Sequence, residues 1–325
     1  MKHVVVVVTA TALGVLAADS AVAETWQGYA YTTGAWENER LTAMAETIGE
    51  ITNGELQINY TRGGGLPING NDIQQAIAED ILQFGIAGGG AVSFIPIYGI
   101  SRLPGIYMNG EDFSTAAEVL TPYLEAAFAE KGVTLLCSHL YPEQSIFATV
   151  PVESLDDLAG LRVRVSSPEQ GAIVEAVGAI PVTLVASDVP PALQQGAVDA
   201  VLTAAAGGGR LWADLLSYNY RMPVNWAQGM MIVNTARLEA LSPEVQGQLR
   251  ELANTECQTI TEGSLGSEAE WVQTLSDGGM TMVEPTEEDL ARLQELSAPI
   301  WESTVAPLGE AGAEAFAAVQ DALSR

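Results

Sequence analysis

The chain has 325 residues, 48% of them hydrophobic, with 41 acidic against 13 basic side chains and a formal charge of −28. Such an excess of acid argues against nucleic acid and against anionic membrane surfaces as partners. Two cysteines are too few for a disulfide framework, and two histidines leave no His/Cys cluster for zinc, so neither a metal nor a cofactor is expected.

At the start, Met1-Lys2-His3, an apolar run over 4–18 and Ala21-Val22-Ala23 read as a secretory signal peptide of residues 1–23. The apolar run is shorter than the roughly 20 residues a membrane span needs. An exported, periplasmic protein beginning at Glu24 is therefore expected. About 300 remaining residues suggest two domains.

Strands then alternate with helices, the pattern of an open α/β architecture. The first strand is expected over 25–31, and Leu41, Met44, Ala45 and Ile48 at helical spacing mark a helix over 37–51. A strand over 55–60, a helix over 71–79 and a strand over 82–87 follow, the last running into Gly88-Gly89-Gly90. An amphipathic helix over 113–131 ends at Gly132, which suits a left-handed cap. Further strands are expected over 133–138, 161–165, 182–185 and 198–202, with helices over 169–177 and 187–195. Residues 235–276 read as mostly helical, too long for an ordinary helix inside one domain, and so as a crossing between domains. The chain ends in helix over 286–323, broken near Pro307. Cys137 falls in a buried strand and Cys257 in the long helical segment; an exported pair can bridge, and the sequence leaves open whether these two meet.

The most informative stretch is Gly160-Leu161-Arg162-Val163-Arg164-Val165. Alternation puts Arg162 and Arg164 on one face of a strand and Val163 and Val165 on the other. A guanidinium fixed at a strand end grips a carboxylate with two parallel hydrogen bonds. The plainer reading pairs both arginines with Asp156, Asp157 or Glu153.

Several segments, in order, carry a resemblance: Thr52-Asn53-Gly54-Glu55-Leu56, the unit 75–85, and Ser154-Leu155-Asp156-Asp157-Leu158-Ala159 leading into the arginine strand. Gly178-Ala179-Ile180-Pro181, the run from Asp188 to Ala200, and Leu241-Ser242-Pro243-Glu244 complete it. Together they resemble the periplasmic substrate-binding subunits of TRAP transporters, of the DctP type. The resemblance implies a two-lobed α/β clamp, like other periplasmic binding proteins, joined by crossing strands and a long interdomain helix. It also implies a small organic acid as ligand and the TRAP membrane permease subunits as partners, with binding and no catalysis. Lobe I is expected over 24–140 and 231–268, and lobe II over 141–230 and 269–325.

In that family the second basic residue of the "KIRVP" strand holds the substrate carboxylate, a position matched here by Arg164. The family's asparagine in "DGxENP" corresponds to Thr203, whose hydroxyl still donates. A further arginine that many relatives carry is absent from His139-Leu140-Tyr141-Pro142-Glu143-Gln144. These departures favour a monocarboxylate with an apolar or aromatic body. Arg210 is a candidate for a second positive charge, and its plainer reading is a surface arginine facing the acidic shell.

Other candidates rest on position. Trp226 would pack on a ligand ring or in the core, beside Asn225 as a hydrogen-bond donor. Trp36 and Tyr31 flank the end of the first strand, and Tyr141 is a further wall. Gly89 allows close backbone approach or simply makes a turn. His139 donates to the ligand or serves the structure. The alternatives are the binding protein of an ATP-driven importer and an exported hydrolase, for which neither a Gly-x-Ser-x-Gly nor a P-loop is present.

Overall fold

The computed structural model describes residues 23–30, 35–89, 91–184 and 186–324. The expected signal peptide (Ala23 apart), Tyr31 and Gly90 lie outside the described residues.

The chain opens with β1 (Glu24–Ala30), α1 (Ala35–Ile51), β2 (Leu56–Thr61), α2 (Ile73–Ala78) and β3 (Phe84–Ala87), followed by a short α3 (Ala91–Phe94) and α4 (Gly110–Ala129). Then come β4 (Val133–Ala148), β5 (Arg162–Val165), α5 (Pro168–Ala176), β6 (Ile180–Thr183), α6 (Val189–Gln194) and β7 (Ala200–Thr203). The last third holds β8 (Tyr218–Asn234), α7 (Thr235–Glu239), α8 (Pro243–Asp277), β9 (Thr281–Val283), α9 (Glu287–Val305) and α10 (Gly309–Ala322).

Local chemistry sets many of these boundaries. Asn109 accepts from the Asp112 N–H at the start of α4, and Ser242 does the same for Val245 ahead of Pro243 in α8. Gly132, with φ 71°, closes the turn after α4 as expected, and Gly160, with φ 78°, turns the chain into β5.

Among the described residues nine strands form one mixed sheet in the order β2-β1-β3-β8-β4-β7-β5-β6, with β9 added to β8. Two lobes share it. β1, β2 and β3 are parallel at one end, and β5, β6 and β7 are parallel at the other. Between them β4 and β8 run antiparallel from Val133↔Asn234 to Ala148↔Tyr218, crossing both lobes.

These two strands are where the structure departs most from expectation. Crossing strands are what the resemblance implies, but the residues themselves place a strand only over 133–138 and none over 218–234. Proline interrupts both readings, because it donates no ladder hydrogen bond. The register shifts between Tyr141 and Gln144, so Pro142 sits at an irregularity the pairing tolerates.

In the first lobe, α1 buries Leu41, Met44 and Ile48 against Trp26, Leu56 and Ile58 and against Val245, Leu249 and Ala253 of α8. Its other sheet face is covered by α2, α4 and α10. In the second lobe, Val163 and Val165 pack with Ile173, Leu202 and Leu293, while Phe147, Val201, Trp212 and Leu275 form the opposite core. α8 thus contributes to cores of both lobes over its 35 residues, the crossing the sequence led one to expect. α10 packs on α4, with side chains of the lobe opposite to the one expected for residues 269–325. Cys137 of β4 and Cys257 of α8 form a disulfide, which ties the crossing helix to the sheet.

Candidate functional site

Pairing of β5 with β6 on one side and β7 on the other fixes both arginines of the strand. Their fates differ. Arg162 is clamped to Asp199: Nε donates to Oδ2 at 2.8 Å, Nη2 to Oδ1 at 2.6 Å, and the backbone N–H to Oδ2 at 2.9 Å. Arg162 has therefore found its anion, though not among the three acids nearest in sequence.

Arg164 has not. It is 7% exposed. Its Nε donates to the Leu184 carbonyl at 3.0 Å and Nη1 to the Leu202 carbonyl at 3.4 Å. Its guanidinium carbon lies 5.9 Å from the centre of the Trp212 ring. Among the described residues it makes no ion pair. Burial alone pushes the guanidinium down from its usual value. A buried cation held only by carbonyl oxygens and a ring face is costly, and an anion relieves it.

Arg164 lines a cavity of about 500 Å³ between the lobes. Thr203 stands beside it on β7, its Oγ1 accepting from the Gly208 N–H at 2.9 Å. The following turn, Ala205–Gly209, needs its glycines: a Cβ on Gly208 would fall 2.2 Å from the Trp212 ring and 2.7 Å from Thr203 Oγ1. α8 holds this turn, with Glu268 accepting from the N–H of Ala205 at 2.9 Å and of Ala206 at 2.8 Å. Arg221 braces Glu268 at 3.3 Å and also contacts Glu143.

The opposite wall comes from the start of α1 and the middle of β4. Trp36 and Glu37 of α1 and Tyr141 of β4 line the cavity. Tyr141 Oη donates to Glu37, lying 3.0 and 3.2 Å from its two oxygens. Burial, and next the Glu37 charge, raise the Tyr141 phenol well above its usual value, so it remains a donor.

Four sequence candidates therefore meet at one cavity: Arg164, Thr203, Trp36 and Tyr141. Apart from Arg210, the other described candidates are not among its lining residues. Trp226, 4% exposed, stacks on Phe113 at 5.4 Å in the first-lobe core. Asn225 is buried, its Oδ1 accepting from Gln170 Nε2 at 3.0 Å and its Nδ2 donating to the Trp226 carbonyl at 3.5 Å. His139 is wholly buried behind the wall, edge-on to Tyr141. Its Nε2 is 3.1 Å from Glu37 Oε1, without the angle of a hydrogen bond. Gly89 faces the Arg102 guanidinium, where a Cβ would fall 2.8 Å from Nη1. Arg210, expected at the surface, lines the cavity instead; its Nε donates to the Ala206 carbonyl at 2.7 Å and its guanidinium lies 5.7 Å from the Trp271 ring centre.

The sequence reading missed Glu37, Trp212 and Trp271. Only one signal was present, the clustering of Trp212 just after the glycine turn. Glu37 is one acid in 41, and nothing local marks it. No group of three or more His, Cys, Asp or Glu that could hold a metal occurs among the described residues.

A two-lobed α/β clamp with a charged interlobe cavity is the form of a solute-binding protein. The chain belongs to the DctP family, the bacterial extracellular solute-binding proteins of family 7, whose model matches residues 28–307. The uncharacterised protein YiiZ of Salmonella typhimurium is 23% identical over 220 residues, covering 64% of this chain and 65% of that relative, so the chain spans just under two thirds of it. DctP7 of Bordetella pertussis, an extracytoplasmic solute receptor binding pyroglutamic acid, superposes with a TM-score of 0.83 at 21% identity, over 92% of this chain and all of that one. A TRAP periplasmic solute-binding protein from Sulfitobacter, with bound β-D-galacturonate, gives a TM-score of 0.80 at 18% identity over 92% of this chain and 100% of its own. At such identities the structural likeness carries the fold. The family and these neighbours are binding proteins, not enzymes, and they favour neither the hydrolase nor the ATP-driven importer.

Proposed function

We propose that the protein is the extracytoplasmic solute receptor of a TRAP-type secondary transporter. It binds a small organic acid between its lobes and delivers it to the membrane permease from the periplasm. The observation that carries this reading is Arg164, a buried cation without an ion-pair partner among the described residues, set in the wall of an interlobe cavity. The ligand carboxylate completes it, with the Thr203 hydroxyl as a second donor.

The cavity walls point to a monocarboxylate with a ring or apolar body. Trp36, Tyr141, Trp212 and Trp271 supply the flat surfaces. Glu37 disfavours a second anion in the same space, and Arg210 is already engaged with Ala206 and Trp271. The ligands of the two neighbours described above, pyroglutamate and galacturonate, each carry one carboxylate on a ring. In this reading lobe I comprises 24–140 and 231–268 with α10 returning to it, and lobe II comprises 141–230 and 269–305.

The test is calorimetric titration of the wild type and Arg164→Ala with pyroglutamate, galacturonate and succinate. Truncating a buried charge pair costs about 2–5 kcal/mol, so the variant should lose binding by about 30-fold or more. Unchanged affinity in Arg164→Ala would overturn the assignment, and preferential binding of succinate would overturn the monocarboxylate reading.

A further inference from the structure

The two lobes also meet at a pair of opposite charges that does not line the cavity. Arg102 ends the 3₁₀ helix Pro96–Arg102 of the first lobe, and Glu169 stands in the first turn of α5 in the second. Their side chains are only 9% and 11% exposed, and Arg102 Nε lies 3.7 Å from Glu169 Oε2. Neither atom has a hydrogen-bond partner among the described residues. Charges this deep are normally both paired and hydrogen-bonded. A charge-assisted bond is about 2.7–2.9 Å long, so this pair stops about 1 Å short of one.

We propose that Arg102 and Glu169 form an interlobe latch. The bond between them is made as the lobes close on a ligand, and its strength sets affinity although neither residue touches the ligand. The inference goes beyond the receptor reading, because it concerns the motion of the lobes and not the nature of the acid.

Three relationships support it. First, Glu169 moves with the ligand anchor. β5 carries Arg164 and leads directly into α5, and the junction is stiff: Ser167 Oγ accepts from the Gln170 N–H at 3.3 Å, while Gln170 Oε1 accepts from the Ser166 N–H at 2.8 Å and its hydroxyl at 3.0 Å. A carboxylate that draws Arg164 toward the first lobe therefore carries Glu169 the same way. Second, Arg102 is held ready. Its guanidinium lies against the backbone of Gly89, just after β3, where a Cβ would fall 2.8 Å from Nη1. Third, the pair straddles a flexible point of β8. Tyr98, on the Arg102 side, donates to the Gln228 carbonyl at 2.7 Å, and Gln170, on the Glu169 side, donates to Asn225 Oδ1 at 3.0 Å. Between those anchors, from Ala227 to Asn225, the ladder with β4 shifts register. An interaction shifts an equilibrium only by the difference in its strength between two states, and a pair 1 Å from bonding across a hinge has such a difference. Apparent affinity then follows the fraction of protein in the closed arrangement.

The experiment reads lobe separation and affinity in wild type, Arg102→Met, Glu169→Gln and the double variant. Separation comes from pulsed electron resonance between spin labels on Ile51→Cys and Ile180→Cys, exposed positions at the end of α1 and the start of β6, with the native disulfide intact. Affinity and dissociation rate come from titration and stopped-flow with pyroglutamate and galacturonate. Each single variant should show longer label distances without ligand and bind about fivefold more weakly or worse, mostly through faster dissociation. The double variant should lose less than the product of the two single losses, because both remove one interaction. Gly89→Ala keeps both charges and only displaces the guanidinium, so it gives the same readings should a truncation fail to fold. Label distances or affinities that match the wild type overturn the inference, as do losses that multiply fully in the double variant. Shorter distances overturn it too, since the pair would then resist closure. If neither acid binds the wild type, the receptor reading loses its support, and the label distances alone decide the latch.

Discussion

The indole of Trp36 lies directly on the backbone of Gly263: a Cβ there would fall 2.0 Å from Nε1 and 2.5 Å from Cε2. Gly263 is in the middle of α8, where glycine costs about 1 kcal/mol relative to alanine. Trp36 is 44% exposed, so it is free to swing away from a new methyl group. Gly263→Ala should therefore leave the unliganded protein as stable as the wild type or more so, while displacing one wall of the cavity. Melting temperature and calorimetric affinity, measured together, check this. A variant that binds as tightly as the wild type would show that the Trp36 position is not needed.

Arg164 sets stability against binding in the same way. Its cation is buried with two carbonyl partners and no carboxylate among the described residues. Replacing poorly compensated buried charge by an apolar side chain of similar volume is often neutral or stabilising by about 1–4 kcal/mol. Arg164→Met should thus melt at or above the wild-type temperature when unliganded and lose the stabilisation that acids confer. A marked fall in the unliganded melting temperature would mean that the arginine serves the fold first.

How much of this was legible beforehand differs from residue to residue. Arg164 stood out because cations are scarce in this chain and because strand alternation is a local signal. The alternating helices and strands of each lobe were legible for the same reason, since periods of two and 3.6 are read within one element. β4 and β8 were not, because Pro142 and Pro223 look like stops, and only pairing between distant strands shows that the ladder accommodates them. Trp226 and Trp212 are alike in sequence terms. What separates them is Phe113, which claims the first, and the glycine turn that presents the second to Arg164. Glu37 reaches the cavity only because α1 lies where it does beside β4, a tertiary fact.

The disulfide between Cys137 and Cys257 closes a loop with a sequence separation of 120. Loop-entropy arguments assign such a closure up to about 5 kcal/mol, and native disulfides typically contribute about 2–4. Its place between β4 and α8 means that its loss loosens the crossing helix rather than a surface loop. Cys137→Ser with Cys257→Ser should lower the guanidinium midpoint clearly, with no change in the secondary structure seen by circular dichroism before melting. An unchanged midpoint would show that the core around α8 suffices without the bond.

Asp199 gives a pH dependence whose sign is fixed by geometry. The hydrogen bond from the Arg162 side chain, aided by the Arg162 N–H and charge, holds its carboxyl below the usual value of 3.8. A depressed carboxylate stabilises the fold above its unfolded pKa, and that contribution is lost as pH falls through the folded one. Melting temperatures of wild type and Asp199→Asn should therefore differ most above about pH 4 and converge in stronger acid. A gap independent of pH would mean that the pair contributes shape and not charge.

Glu268 links the crossing helix to the cleft. Its carboxylate caps two N–H groups of the Ala205–Gly209 turn and meets Arg221, which also contacts Glu143. That turn carries Gly208, against which Trp212 and Thr203 pack. Gln at this position keeps the shape but accepts through one oxygen only, so one N–H or the Arg221 guanidinium faces an amide NH₂. Leaving a buried donor unsatisfied costs about 1–3 kcal/mol. Glu268→Gln should lower the melting temperature and speed amide exchange at Ala205 and Ala206. It should also weaken acid binding, because the turn that orients Thr203 and Trp212 around Arg164 is no longer held. Loss of stability with full affinity would separate the two effects and make α8 a passive brace; loss of both ties the geometry of the cleft to the helix that joins the lobes.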